Sequence, residues 1–387
     1  AEEIAANYSH AFVSVADRVL GRVWNRLYDG VLVRHLDVLT RAAEGREIVY
    51  VPCHRSHMDY VLLSYVIYNG GFAVPHVAAG VNLDLPVIGR YLRKGGGFFM
   101  RRSFKGSTLY TAVFMKYLGV MMAKGHALEY FIEGGRSRTG RLLAPRTGML
   151  SMTVRSFLRD PKRPVVFLPV YFGYERLVEG ETYIGELSGR PKQKESVGGL
   201  LKALPKLRQK FGHVYVNFGE PIELDEILKR HNPNWRADAP PDDSRPPWVG
   251  AVVEDLATGI MRNINGAAAV NPVNLLSTAL LATPRQALLA TDLARQIDMY
   301  RRLLAAARYG PRVTICEEDG EAAIRYCESM RIVERQAHAL GDVLRMSDTN
   351  AILQTYFRNN VVHLFAMPSL IACCFVNNAT MRTEDIL

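Results

Sequence analysis

The sequence predicts an α/β fold: a mixed, partly parallel sheet flanked by helices, with additional mostly helical segments at both ends. Three observations predict it. Between residues 48 and 218, short apolar runs alternate with longer helix-like segments, the pattern of strands joined by crossover helices. The flanking stretches carry helical rather than strand periodicity. Apolar residues make up 48% of the 387, which suits a sizeable core and excludes a disordered or collagen-like chain.

Taken in order, residues 1–46 read as an N-terminal helical segment, because Ala11, Val15, Val19, Val23 and Leu27 recur every fourth position. Residues 47–230 read as the α/β domain. Strands are expected at 48–51, 73–78, 97–100, 129–132, 165–171 and 214–218, with helices at 58–68, 107–122, 147–158 and 197–211. The Pro-rich stretch 231–247 has no apolar periodicity and reads as a linker or long surface loop. Residues 248–387 read as a mainly helical region, with helices over 249–264, 275–281, 284–307 and 321–344 and Pro284 suited to a first turn. The apolar run 361–376 is interrupted by His363 and Pro368. Spanning a bilayer takes about 20 apolar residues, so core packing is the preferred reading and a bilayer surface the other.

Charge narrows the function classes. The chain carries 48 Lys and Arg against 38 Asp and Glu, a net +10. Residues 90–146 hold twelve Lys or Arg and only Glu129 and Glu133 as acids, so that segment accounts for the excess. A concentrated field of this kind suits an anionic ligand or surface. Nucleic acid is not the expected partner, since the sequence has no zinc-finger spacing, no RNA-recognition aromatic signature and no long basic helix. Five Cys without regular spacing exclude a disulfide scaffold or zinc ribbon and fit a reducing compartment. The chain opens on an acidic stretch without an initiator Met, which reads as an internal piece of a longer protein rather than a signal peptide.

The sharpest motif is VPCHRSHMDY at 51–60. His54 stands at a strand end and Asp59 five positions on, at the start of an apolar helix. A carboxylate there can accept the Nδ1 proton, fix the tautomer and leave Nε2 as a base. Cys53 is the rival nucleophile, but neighbours on an extended strand face opposite ways. Two further stretches join glycines to cations: GGGFFMRRSFKG at 95–106, with Arg101, Arg102 and Lys105, and FIEGGRSRTG at 131–140, with Glu133, Gly134, Arg136, Ser137 and Arg138. Glycine lets backbone approach a ligand, and guanidinium forks match phosphate oxygens. VFLPVYFGYE at 166–175 is a strand containing Pro169 and Tyr171. Neither a phosphate-binding G-x-x-x-x-G-K-[ST] loop nor a G-x-S-x-G elbow is present. No metal is expected, because Asp59 beside His54 and His57 is explained as well by pairing with imidazole.

In order, HRSHMDY, FFMRRSFKG, EGGRSRTG and LPVYFGYE resemble the four sequence blocks of the glycerolipid acyltransferases, in the wording of the glycerol-3-phosphate branch. The basic stretch 187–201 also looks like that branch, and the likeness covers roughly residues 48–220. The resemblance implies transfer of a fatty acyl group from acyl-CoA or acyl carrier protein to the sn-1 hydroxyl of glycerol 3-phosphate, with no cofactor beyond that co-substrate. It places the catalytic pair on His54 and Asp59, and the acceptor-binding positions on Arg102, Glu133, Gly134, Arg136 and Ser137. The adjacent cations Arg101, Lys105 and Arg138 join that substrate-binding set. Pro169 and Tyr171 would shape the acyl-donor pocket. The resemblance also implies work at a membrane phospholipid surface, on the cytoplasmic face of a bacterial inner membrane, peripherally or monotopically. Backbone N–H groups near Ser56 and His57 are the expected oxyanion donors. Acylation of dihydroxyacetone phosphate is the alternative reaction. A non-catalytic basic module for membrane surfaces is the alternative class.

Overall fold

The computed structural model describes residues 2–104, 106–180, 183, 211–239, 246–376, 380–382 and 384. Lys105, the basic stretch 187–201 and nearly all of the helix expected over 197–211 lie outside the described residues. Contacts divide the chain into two units. One comprises Ala1–Ser137, Leu142–Phe172 and Lys194–Ile264; the other comprises Arg138–Arg141, Gly173–Gln193 and Asn265–Leu387.

The first unit runs α1 (His10–Leu27), β1 (Gly30–Arg34), α2 (Asp37–Ala43), β2 (Glu47–Pro52), α3 (Asp59–Asn69), β3 (His76–Gly80), α4 (Ile88–Lys94), β4 (Phe98–Met100), α5 (Thr108–Ala123), β5 (Leu128–Glu129), α6 (Gly148–Arg159), β6 (Val165–Tyr174), β7 (His213–Phe218), β8 (Ile222–Glu223), α7 (Leu224–His231) and α8 (Pro247–Asn265). The sheet is ordered β1-β7-β6-β2-β5-β3-β4, with β8 antiparallel on β6. β6, β2, β5, β3 and β4 pair in parallel. All six residues of β2 and all ten of β6 are buried, as expected for parallel strands covered on both faces. Because these five strands point the same way, the loops leaving β2, β4 and β5 emerge at one edge of the sheet, where α/β folds place ligands.

Several sequence expectations need correcting. Residues 1–46 are not wholly helical: Gly30–Arg34 pairs with β7 and extends the sheet. Helix α1 forms, yet Val15 and Val19 of the expected stripe are 58% and 54% exposed, while Val13, Trp24 and Leu27 are buried. A row at strict four-residue spacing drifts around a 3.6-residue helix, and burial of Trp24 decides which face turns inward. Within 231–247, Trp235 is buried and its ring lies 5.6 Å from that of Phe157, so this part is packed rather than a loose linker.

The second unit contains β9 (Ala269–Val270), α9 (Pro272–Leu280), β10 (Ala287–Leu289), α10 (Ala290–Ala306), β11 (Thr314–Ile315), α11 (Gly320–Ser329), β12 (Glu334–Gln336), β13 (Val343–Arg345), α12 (Asp348–Val361) and α13 (Ala366–Cys374). Asn271 and Asn274 form a capping box at the start of α9. The helices expected over 284–307 and 321–344 are both broken. Arg285 and Gln286 take positive φ (58° and 49°), so the first gives way to β10 before α10 begins. The second stops before Arg331, at φ 57°, and continues into the antiparallel ladder β12–β13. The run 361–376 divides: Val361, Leu364 and Phe365 are buried, whereas no residue of α13 is. Among the described residues no helix is long and apolar enough to cross a membrane.

Candidate active site at the carboxyl edge of the sheet

β2 ends at Pro52 and the chain turns through 53–58 into α3, whose first residue is Asp59. That turn sets the geometry. Asp59 is fully buried, and its Oδ2 accepts from the backbone N–H groups of Arg55 at 2.6 Å and Ser56 at 2.9 Å. The same oxygen lies 2.9 Å from His54 Nδ1. An oxygen that already accepts from two backbone N–H groups stands as an acceptor toward the imidazole as well. His54 Nδ1 is therefore the donor, and Nε2 keeps its lone pair. The imidazole stacks on Phe131 with ring centroids 4.1 Å apart, and its side chain stays 15% exposed, so a ligand can reach it.

β5 pairs directly with β2 and delivers the second loop. Glu133, 2% exposed, accepts the His54 N–H on Oε1 at 2.8 Å and the Leu143 N–H on Oε2 at 2.6 Å. Burial pushes its pKa up, while the Arg55 guanidinium and the two amides pull it back. Ser137 is fully buried and donates its N–H to the His54 carbonyl at 2.9 Å. Gly134 has φ 63° and donates its N–H to the Phe131 carbonyl, which closes the turn. Arg136 is half-buried in the same loop. Arg138 belongs to the second unit.

The loop after β4 leaves from the same sheet edge, three strand spacings from β2 or about 14 Å. Arg101 there pairs bidentately with Glu3 at 2.7 and 2.8 Å and sits over the Tyr110 ring, so its guanidinium is engaged. Arg102 is exposed. Pro169 lies inside β6 in register with Val51, and its carbonyl accepts the Gly219 N–H at 2.9 Å. Tyr171 is 1% exposed, with the Arg55 guanidinium 5.9 Å from its ring centroid.

One expectation fails here. The Ser56 N–H is taken up by Asp59, so it is not an oxyanion donor. Cys53 faces away from His54, as its place beside it implied: its sulfur accepts the Phe172 N–H at 3.2 Å in the core, and burial pushes its thiol up to about 12. One residue was missed. Arg55 is 1% exposed and faces Glu133 and Tyr171. It stands inside the HRSHMD motif, in the turn between β2 and α3, and its place between His54 and Asp59 was the signal available. No group of three His, Cys, Asp or Glu suited to a metal occurs among the described residues.

Comparison with known proteins supplies the family context. A family model described as "Glycerol-3-phosphate acyltransferase C-terminal region" matches residues 183–387, and one described as "Acyltransferase" matches residues 31–173. A glycerol-3-phosphate acyltransferase of Pseudomonas paraeruginosa is 52% identical over 387 residues, covering 100% of this chain and 46% of the relative. That of Xanthomonas campestris pv. campestris is 53% identical over 386 residues, covering 100% of this chain and 44% of the relative. The chain thus spans about half the length of the curated relatives it matches. A crystal structure of the 1-acyl-sn-glycerophosphate (LPA) acyltransferase of Thermotoga maritima is similar at 20% identity and TM-score 0.35, covering 64% of this chain and 78% of that one.

Proposed function

We propose that this chain, which belongs to the glycerol-3-phosphate acyltransferase family, transfers a fatty acyl group from acyl-CoA or acyl carrier protein to the sn-1 hydroxyl of glycerol 3-phosphate, giving lysophosphatidate. The observation that carries the reading is the 2.9 Å contact between His54 Nδ1 and the buried Asp59 Oδ2, beside the Arg136 loop at one sheet edge. A primary hydroxyl is a poor nucleophile at neutral pH. His54 Nε2 takes its proton as the oxygen attacks the thioester carbonyl. Asp59 steadies the imidazolium while the tetrahedral intermediate stands. Its collapse breaks the C–S bond, and the departing thiolate takes the proton back from Nε2. No covalent acyl-enzyme and no cofactor is needed.

The acceptor phosphate carries close to two negative charges, which accounts for cations around the loops after β4 and β5. Arg102 and Arg136 are the proposed phosphate ligands. Arg101 contributes less, being neutralised by Glu3. The product is a lipid, and we place the enzyme peripherally at the cytoplasmic face of a bacterial inner membrane. Two apolar surfaces support that. In the first unit Val87, just before the basic stretch 90–146, and Tyr91 and Leu109 within it are 66%, 54% and 78% exposed; in the second, Met367 and Leu370 of α13 are 65% and 64% exposed.

The reading is tested by trapping the thiol released from acyl-CoA, with and without glycerol 3-phosphate. Release is expected only with the acceptor. It should fall about 10²–10⁴-fold in His54→Ala and in Asp59→Asn, with thermal unfolding of His54→Ala unchanged. Near-normal transfer by purified His54→Ala would sink the mechanism. Binding of the acceptor without any thiol release would leave a non-catalytic module.

A further inference from the structure

We infer that Glu3 is a positioning residue for acceptor binding: through Arg101 it holds the loop after β4 so that the neighbouring Arg102 is presented to the acceptor phosphate. The inference rests on the reading of Arg102 as a phosphate ligand. β4 is the last strand of the sheet, and its outer edge is covered. The Phe99 N–H donates to the Ile4 carbonyl at 2.9 Å, and Ile4 is 2% exposed. From there residues 3–9 run as a strap over β4, α5 and α4. The Ala6 N–H donates to the Tyr117 hydroxyl of α5 at 3.2 Å. The N–H groups of Asn7 and Ser9 donate to the carbonyls of Arg93 and Lys94 on α4, each at 3.0 Å. The Arg93 guanidinium in turn donates to the carbonyls of Glu3 and Ala5. A backbone tied at so many points gives the Glu3 side chain a fixed base.

The two adjacent arginines of the loop are used differently. Arg101 is committed: its guanidinium makes a two-point bond with Glu3, at 2.7 and 2.8 Å, and lies 4.4 Å from the Tyr110 ring centroid. Its backbone N–H donates to the Tyr110 hydroxyl at 3.1 Å. Bidentate pairing of a planar guanidinium fixes direction as well as distance. Arg102 is exposed, and among the described residues it has no hydrogen bond or ion pair. One guanidinium thus anchors the loop to the strap and to α5, and the next is left for an anion. A carboxylate that merely offset the charge of Arg101 would have the opposite effect. It would weaken the positive field around the acceptor, and its removal would tighten binding. A carboxylate that positions the loop strengthens binding, and its removal weakens it.

Glu3→Gln removes the charge and keeps the shape. We expect the KM for glycerol 3-phosphate, and its calorimetric Kd without donor, to rise about fivefold, while kcat stays within about twofold. That rise corresponds to about 1 kcal/mol, the upper end for an exposed ion pair. The decisive measurement is the same substitution made beside Arg102→Gln. Arg102→Gln alone should raise both constants, and adding Glu3→Gln should then change them no further, because the positioned group is gone. Unchanged or tighter acceptor binding in Glu3→Gln would overturn the inference. So would a fivefold loss that persists beside Arg102→Gln, since Glu3 would then act on the acceptor by another route. If the parent binds glycerol 3-phosphate and gives the expected cycle in Kd yet releases no thiol, the positioning role stands and the enzymatic reading falls. A parent that binds no glycerol 3-phosphate would end both.

Discussion

Glu47, Glu129 and Glu133 are carboxyls buried to 1%, 0% and 2% exposure, and their surroundings give them different charges. Glu133 has two amide donors and Arg55 against its desolvation. Glu129, on β5, has no hydrogen-bond partner for either oxygen, and burial together with the nearby Asp59 drives its pKa well above the usual range, so it holds its proton. Glu47 opens β2 at the opposite end of that strand from His54; burial raises it to about 8, with Arg163 pulling the other way. Its linkage to folding follows from the sign. The folded state keeps the proton between about 4.5 and 8 where the unfolded chain has lost it. Glu47 is therefore neutral to stability below about 4.5, destabilises progressively from about 4.5 to about 8, and carries its full penalty above that. Glu47→Gln should make unfolding less dependent on pH in that window. The variant is expected to exceed the parent by on the order of 3 kcal/mol at pH 9 and to match it at pH 4.5. Denaturant midpoints measured across the range decide it, and parallel curves for the two proteins would place the charge elsewhere. His76 acts in the opposite sense. Burial and the neighbouring His126 lower it to about 4, so protonation of the unfolded chain weakens folding as pH drops from 6.5.

At the scale of elements, the glycines of the 131–140 loop show how packing, rather than a ligand, can demand glycine. Gly140 has φ 85°, and a Cβ there would meet the Tyr356 carbonyl oxygen of α12 inside the second unit. Gly140→Ala combines a left-handed conformation with overpacking, and should destabilise the chain by about 3 kcal/mol. Gly135→Ala has open space and an ordinary backbone, so it should leave the thermal midpoint nearly unchanged. Equal midpoints for the two variants would refute the packing account. The same distinction explains what could be read from sequence. β2 and β6 were legible because burial on both faces makes them continuous apolar runs. The His54–Asp59 pair was legible because both partners are local, five residues apart across a strand–helix turn. β12 was not, since Glu334, Arg335 and Gln336 are all exposed and carry no apolar alternation. β1 was hidden by its brevity and by helical periodicity running up to it. The Glu133 contacts with His54 and Leu143 join residues 79 and 10 positions apart, and no periodicity encodes such a pairing.

For the molecule as a whole, net charge matters because it is unevenly placed. The chain carries +10, and residues 90–146 hold an excess of the same size. Within the first unit the exposed apolar side chains Val81, Leu85, Val87, Tyr91 and Leu109 lie in or just before this stretch in sequence. Helix α4 combines both characters, with Arg90 and Tyr91 exposed and Lys94 half-buried, all within seven residues. Attraction to anionic headgroups and burial of apolar side chains at the interface are additive sources of affinity, and only the first is screened by salt. A basic side chain near an anionic surface is worth about 1 kcal/mol. Neutralising Arg90 and Lys94 together, as Arg90→Gln with Lys94→Gln, should therefore weaken partition onto vesicles rich in anionic phospholipid by roughly 30-fold. On vesicles of zwitterionic lipid alone, the parent and this variant should bind weakly and alike. Leu109→Glu should weaken binding to both kinds of vesicle, because it removes apolar contact and adds a repelled charge. Sedimentation with vesicles at low and at roughly physiological salt reads each of these outcomes. Parent protein that binds both lipid compositions equally, with no response to salt, would show that the concentrated charge serves the acceptor phosphate rather than the bilayer.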